Sequence, residues 1–458
     1  MKYFSTRNKL LEFSFKDIFL RGLAPDGGLF LPHKIKMYDR NEINNLSSLS
    51  YVDLATEILS NFCEDEIARD QLKKLIDKSY NNFKNKEVVN LKKIGNINLL
   101  ELYHGPTLAF KDIAMQVIGN MYDYLKIAEV KVVNIIVATS GDTGAAAISA
   151  LNNRKNINVF VLHPHNKISK IQRKIMTTIG SNNIYNIAIK GSFDDCQKIV
   201  KDMFNENKFR EKINMSGVNS INWARIICQI VYYFYAFFKI NKKNISFSVP
   251  TGNFGDIFAG YVAKKMGLPI DKLIVATNEN DILQRAINTG EYKPDKVKPS
   301  LSPSMDIQVS SNFERLLFYV VGKDDKKVTL LMNDLSVKGF FNLNKDETEI
   351  IKKDFLAEKI NDQDTLSIIK DFSINSKFVL DPHTATAVGA ARKIGNLSDT
   401  IVLGTAHPYK FLETVKKAIG KEIEPPHQFS NILDKKEKFD IIDNNILEVK
   451  NYILGKTA

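Results

Sequence analysis

VVNIIVATSGDTGAAAISAL, residues 132–151, decides the fold class. Val132, Val133, Ile135, Ile136 and Val137 form a β-branched apolar run, the pattern of a buried strand. The alanine-rich segment from Ala145 to Leu151 reads as a helix. Between them lie Ser140, Gly141, Asp142, Thr143 and Gly144, a turn of small hydroxyls and flexible backbone. Unpaired N–H groups at a helix N-terminus favour a carboxylate or a phosphate, and the same residues also suit an ordinary capped turn. Strand, tight turn and helix in succession are the building unit of an α/β protein.

The unit recurs. Ile245, Phe247 and Val249 lead into Gly252, Asn253, Phe254, Gly255 and Asp256, and then into a helical segment from Ala259 to Met266. Two glycines around Asn253 let successive N–H groups converge on one anion. No Gly-Lys-Ser/Thr follows, so the loop is not a P-loop, and it lacks the dinucleotide-binding spacing. Strand-like runs at 157–162, 184–189, 245–249, 273–276 and 401–403 alternate with helical patterns from about residue 97. The alternation predicts two open, largely parallel-sheet α/β lobes with the anion loops at the C-terminal ends of their strands. The first 95 residues or so carry amphipathic patterns such as Val52, Ala55, Ile58 and Leu59, which predict a mainly helical N-terminal domain. The expected division is 1–96, 97–225 and 226–458, with a peripheral helical insertion at about 320–376 in a lysine- and aspartate-rich stretch.

HGPTLAFKDIAMQ, residues 104–116, supplies a reactive group to set beside the loops. Ile113, Val117, Ile118, Met121 and Leu125 share one helical face, which puts Lys111 in the first turn of a buried helix. The positive end of the helix dipole and the apolar neighbours Leu108 and Phe110 disfavour an ammonium there, leaving more free amine for Schiff-base chemistry. A lone lysine at such a position is usually an ordinary surface residue; the two loops make the case.

Composition narrows the class. At 458 residues, 44% hydrophobic and 25% charged, the chain can bury more than one core. A net charge of +12 raises nucleic-acid binding, but the lysines are scattered, with no sustained basic block. Cys63, Cys196 and Cys228 lie far apart and predict neither disulfides nor a zinc site, which fits a reducing cytoplasm. The seven histidines show no metal-ligand spacing, and His104, His383 and His407 read as structural hydrogen-bonding residues. The start lacks a signal-peptide core. The most apolar stretch, Ile226 to Phe238, is shorter than the about 20 residues a bilayer requires and reads as a buried helix.

The chain resembles the threonine synthases, pyridoxal-phosphate enzymes of the tryptophan-synthase-β-like fold (fold type II), over nearly its whole length. The matching stretches are YFSTRN, PDGGLFLP, HGPTLAFKD, ATSGDTGAA, GVNSINWARI, PTGNFGD, ATNENDIL, SPSMDIQVSSNFERLLF, DPHTATAVGAA and LGTAHPYKF, in that order along the chain. The resemblance implies that Lys111 carries the aldehyde of pyridoxal 5'-phosphate. Gly252, Asn253, Phe254 and Gly255 would hold the cofactor phosphate with Asp256 alongside, and Thr405 would face the pyridine nitrogen. Ser140, Asp142 and Thr143 would receive the substrate carboxylate, and Asn219, Ser220 and Arg225 the substrate phosphate. Thr251 stands where serine is common and Tyr409 where a small residue is common, and neither change removes a needed chemical group.

The implied reaction turns O-phospho-L-homoserine and water into L-threonine and phosphate by γ-elimination and β-hydration. One alternative is a phospho-lyase that ends in 2-oxobutyrate and ammonia. Another is a non-catalytic metabolite-binding homologue, against which the retention of Lys111 argues. The expected partner is the small-molecule substrate, with no metal, nucleic acid or membrane, in a cytoplasmic monomer or homodimer.

Overall fold

The computed structural model describes residues 1–126, 131–240, 242, 244–395 and 397–457. Strand Val133–Ala138 runs into helix Asp142–Leu151 through the turn at 139–141, so the unit read from the sequence is a real element. It lies in a five-stranded sheet whose order is Asp440–Asp443, Ile184–Lys190, Ile157–Pro164, Val133–Ala138 and Met215–Ser216. Every pairing in that sheet is parallel. The second unit, strand Ile245–Pro250 followed by helix Gly255–Lys265, lies in a six-stranded sheet. Its order is Phe355–Lys359, Ile270–Thr277, Ile245–Pro250, Thr400–Gly404, Ile97–Glu101 and Asn90–Ile94. Only the last pair, a hairpin turning at Gly95 with φ +60°, is antiparallel. The interior strands of both sheets, such as Ile157–Pro164 and Ile245–Pro250, are apolar and buried, as sheets covered by helices on both faces require.

Helix Trp223–Ile240 joins these layers. From Trp223 to Ala236 every residue is buried, and the helix packs on Lys111–Lys126, on Tyr51–Cys63 and on Gly255–Lys265. The apolar stretch expected to be a buried helix is therefore the hub of the largest core, which takes residues from the N-terminal region and from both sheets. Among the described residues no helix is long and apolar enough to cross a membrane.

The sheets do not follow the boundaries expected at 96/97 and 225/226. Strand Ile97–Glu101 pairs with Thr400–Gly404 in the larger sheet, while Asp440–Asp443 returns to the edge of the smaller one. Helix Trp223–Ile240 runs through the second boundary. Periodicity identifies a strand but not its partner, because parallel pairing is chosen by long-range packing. The stretch 320–376 departs in a similar way. It contains helices Asp325–Lys338, Lys345–Asp354 and Asp362–Asn375, yet Phe355–Lys359 between them is an edge strand of the six-stranded sheet. A short, half-buried edge strand gives a weak apolar signal. The N-terminal region opens with a three-stranded antiparallel sheet, Asn8–Phe13, Tyr3–Ser5 and Phe30–Pro32, with helix Phe15–Arg21 between its second and third strands in the chain.

Helices Lys111–Lys126 and Asp142–Leu151 cross closely. A Cβ on Gly119 would stand 2.6 Å from the Ala150 carbonyl oxygen and 2.9 Å from Arg154 Nη2. We expect Gly119→Val to destabilise the protein by about 1–3 kcal/mol through overpacking, read from the urea unfolding midpoint. Gly180→Ala is the control, since nothing lies within 4 Å of its added Cβ. Equal midpoints for the two variants would show that the crossing has slack.

Candidate active site

Lys111 is the first residue of its helix, and the loop before it is pinned on two sides. Asp112 accepts hydrogen bonds from Thr107 N at 2.8 Å and Thr107 Oγ1 at 2.7 Å, folding the loop back over the helix start. Gly105 makes room, since a Cβ there would meet Asp112 Cβ at 2.4 Å. Burial pushes the Asp112 carboxyl up to about 6, with the Thr107 hydrogen bonds pulling the other way. On the other side Phe110 N donates to Thr405 O at 2.9 Å and His407 N to Leu108 O at 3.1 Å, with Leu108 at φ +59°. The sequence-predicted Thr405 and Lys111 are thereby neighbours through backbone hydrogen bonding.

The Lys111 amine meets Asp142, Nζ to Oδ2, at 3.3 Å. The same carboxylate takes Lys410 Nζ on Oδ1 at 2.5 Å, Gln172 Nε2 on Oδ1 at 3.1 Å and Ser304 Oγ on Oδ2 at 3.4 Å. Burial would raise the Asp142 carboxyl, but the charges of Lys410 and Lys111 outweigh it and hold the group well below the usual carboxylate range. Burial lowers Lys111; Asp142 opposes this, and the charges of Lys410 and Arg225 add to it. The turn is built to deliver Asp142. Gly141 adopts φ +136°, and any Cβ there would strike Gln172 Nε2 at 2.7 Å. Thr139 Oγ1 accepts from Gly141 N and from Gly144 N, both at 2.9 Å. Among the described residues the N–H groups of Ser140, Asp142 and Thr143 have no hydrogen-bond partner and remain open to an anion.

The loop at 252–256 has the same open donors. Phe254, at φ 62° and ψ 4°, starts helix Gly255–Lys265 without a side-chain cap. The loop carbonyls are taken from behind: Ser310 Oγ donates to Gly252 O at 2.7 Å, while Asn312 N and Nδ2 donate to Asn253 O at 3.1 and 2.9 Å. The N–H groups of Gly252, Asn253, Phe254 and Gly255 have no partner among the described residues. A Cβ on Gly252 would stand 2.8 Å from Ser304 O, so the loop lies against the segment that also reaches Asp142. Asn312 Nδ2 donates in addition to Ser220 O at 3.2 Å, tying the turn of Asn219 and Ser220 to this loop.

Arg225 and Asp256 are buried and incompletely paired. Arg225, 3% exposed, donates through Nη1 to Val218 O at 3.3 Å and leaves Nε unpartnered. Burial brings its guanidinium down to about 10. Asp256 accepts from Tyr232 Oη at 2.5 Å and Tyr233 Oη at 3.0 Å, with Oδ2 unpartnered. Burial pushes its carboxyl up to about 6, opposed by the two tyrosines and then by Lys111 and Arg225.

Of the residues singled out from sequence, Lys111 is in ion-pair contact with Asp142, and Arg225 and Asp256 lie near enough to act on it electrostatically. Sequence reasoning missed Lys410, Gln172 and Ser304. Lys410 lies within a quoted stretch, and its one signal is a lysine flanked by Pro408, Tyr409 and Phe411, which are apolar or aromatic. His383 does have a hydrogen-bonding role: Nδ1 faces Asp381 Oδ1 at 3.0 Å, and Nε2 accepts from Ser304 N at 3.2 Å.

Comparison with known proteins covers the whole chain. Residues 2–80 match the family model for the threonine synthase N terminus, residues 89–338 that for pyridoxal-phosphate dependent enzymes, and residues 384–453 that for the threonine synthase C-terminal region. The chain is 44% identical over 459 residues to a threonine synthase from Pseudomonas aeruginosa, covering 99% of this chain and 98% of that one. The crystal structure of pyridoxal-phosphate-bound threonine synthase from Brucella melitensis matches with a TM-score of 0.95 and 43% identity, covering 100% of this chain and 99% of that chain. The yeast threonine synthase structure matches with a TM-score of 0.93 and 41% identity, covering 99% and 98%.

Tyr232→Phe removes a donor that favours the ionised form of Asp256. The carboxyl should rise by a further one to two pH units, the equivalent of about 1.5–3 kcal/mol for a hydrogen bond to a charged group. The check is the protonated-carboxyl infrared band followed against pH; an unchanged midpoint would mean that Tyr233 alone carries the effect.

Proposed function

The chain belongs to the threonine synthases, a family of pyridoxal-phosphate-dependent lyases, and we propose that its substrate is O-phospho-L-homoserine, converted with water to L-threonine and inorganic phosphate. The observation that carries the substrate reading is one buried lysine amine flanked by two uncapped backbone cradles and a buried guanidinium. The substrate has a carboxylate at one end and a phosphate at the other, and the cofactor adds a second phosphate. Three anionic groups call for three cationic or N–H-rich sites.

The residues fit the cofactor. An uncapped helix N-terminus preceded by a left-handed Phe254 is a ready phosphate site, so Gly252, Asn253, Phe254 and Gly255 are assigned to the cofactor phosphate with Asp256 alongside. Lys111 is assigned to its aldehyde and Thr405 to its pyridine nitrogen, where a hydroxyl does not fix a proton as an aspartate would. Pyridoxal phosphate, when bound, supplies an aldehyde that captures amines and a ring that accepts the charge left when a proton leaves the adjacent carbon.

Ser140 and Thr143 are assigned to the substrate carboxylate together with the N–H of Asp142, whose own carboxylate is occupied by two ammonium groups. Asn219, Ser220 and Arg225 are assigned to the substrate phosphate; a planar guanidinium with a free Nε suits bidentate contact. Lys111 Nζ takes the proton from the α carbon, and burial favours the free amine that this requires. A β proton also leaves as phosphate departs from the γ carbon, and the departing oxyanion can carry a proton. The γ carbon then gains a proton, the hydroxyl of water finishes on the β carbon, and a proton returns to the α carbon, which accounts for every hydrogen of L-threonine. Gripping both anionic ends holds the reacting carbons beside Lys111 and keeps stray water out.

Three free, buried cysteines support a reducing, cytoplasmic setting.

The first test is product balance from O-phospho-L-homoserine with the purified enzyme. We expect threonine to equal phosphate throughout. Phosphate matched by 2-oxobutyrate would overturn the proposal in favour of elimination alone, and no phosphate release would remove this substrate. In the second test Arg225→Ala should raise KM by about 10- to 100-fold with the cofactor retained, the scale of one charged hydrogen-bonded contact. An unchanged KM would move the phosphate site elsewhere.

A further inference from the structure

We propose that Lys410 is a positioning residue for Lys111: it holds the second oxygen of Asp142, so that Lys111 shares this carboxylate and its amine stays available as a base. The inference rests on the assignment of Lys111 as the cofactor lysine and base. Lys410 is fully buried, 0% exposed, and therefore does not reach solvent. Its ammonium is fixed by Asp142 Oδ1 at 2.5 Å and by the Thr107 carbonyl at 3.0 Å. Among the described residues Asp142 is the one carboxylate in ion-pair contact with either lysine. Two lysines thus share one ion-paired carboxylate in a dry site, an arrangement that stability alone does not favour.

The groups facing Lys111 come from several elements. Asp142 faces it from helix Asp142–Leu151, Lys410 from the turn Pro408–Phe411, Arg225 from helix Trp223–Ile240 and Asp256 from helix Gly255–Lys265. His383 accepts from Ser304 N, and Ser304 Oγ donates to Asp142 Oδ2, while Asp112, on the same helix as Lys111, acts on Lys410. Of the cations other than Lys111, Lys410 alone is in ion-pair contact with Asp142 among the described residues. With Lys410 absent, Asp142 would pair with Lys111 exclusively, and the proton would stay on the amine to higher pH. With Asp142 made neutral, both ammonium groups would lose their counter-charge and Lys111 would give up its proton at lower pH. The two changes therefore push in opposite directions, which a purely structural role for Lys410 does not require.

The test reads the Lys111 amine directly. Full-length protein freed of cofactor is treated with formaldehyde and cyanoborohydride across pH, and methylation of Lys111 is followed by peptide mass spectrometry. Lys410→Met should move the midpoint up by about one unit, a tenfold loss of free amine at a given pH, and Asp142→Asn should move it down. Lys410→Gln, which can still donate to the Thr107 carbonyl, serves if the methionine variant does not fold. The cofactor-loaded variants should show the same order in the pH midpoint of the cofactor absorption band. A midpoint that is unmoved or lowered in the folded Lys410 variants overturns the proposal. Failure of the underlying assignment is seen separately: wild-type Lys111 that is labelled equally with and without cofactor is not the cofactor lysine, whatever the Lys410 variants do.

Discussion

One buried carboxylate constrains the centre of this molecule. Asp142 lies out of water with a lysine on each oxygen, and removing a partner from such a pair leaves an uncompensated charge that typically destabilises by about 3–5 kcal/mol. Its surroundings are correspondingly specific. Thr139 ties down the turn before it, Gly141 adopts a backbone angle closed to other residues, and Gln172 and Ser304 supply the remaining donors. Five separate segments of the chain must therefore arrive correctly before the charge is satisfied. A site with this many dependencies tolerates little play, which is what a reacting amine needs from its neighbours.

The same centre carries an excess of positive charge. Lys111, Lys410 and Arg225 face three buried carboxyl groups, of which Asp142 is firmly ionised and Asp112 and Asp256 are pushed towards the neutral form. Open N–H groups at Ser140, Asp142, Thr143 and 252–255 add partial positive charge without adding side chains. The protein alone is thus electrostatically unfinished in a way that anionic ligands complete. The overall charge of +12 says less, because it is spread over the surface, whereas the local excess is buried and poorly screened by salt.

How much of this was legible follows from where each signal resides. Strands such as Ile157–Pro164 and Ile270–Thr277 announce themselves through apolar runs, at 159–162 and 273–276, because both faces are covered there. The partner of Ile97–Glu101, some three hundred residues away in strand Thr400–Gly404, leaves no local trace. The two anion loops could be read because glycine and small hydroxyls at a strand-to-helix junction have a backbone reason to be there. Lys410 could not. A lysine within a turn gives the same signal whether it is solvated or buried, and only the folded chain brings Thr107 and Asp142 to its amine. Roles assigned to Thr405 and Arg225 came from resemblance rather than from pattern, since a lone threonine or arginine carries no periodicity.

The ion pairs of Asp142 also join the two sheets. Lys111 belongs mechanically to the larger sheet, since the loop before it is hydrogen-bonded to Thr405 and His407 just beyond strand Thr400–Gly404. Lys410 follows that strand by a few residues. Asp142 and Gln172 instead follow strands of the smaller sheet, Val133–Ala138 and Ile157–Pro164. The Lys111–Asp142 and Lys410–Asp142 contacts are therefore bridges between the lobes. Any shift of one sheet against the other must change both ion pairs at once, and with them the charge environment of the Lys111 amine. Strand exchange at Ile97–Glu101 and Asp440–Asp443, together with the shared helix Trp223–Ile240, limits how far such a shift can go. Topology and electrostatics converge here: the chain crosses between the sheets repeatedly, and the charged centre lies where small displacements have the largest chemical effect.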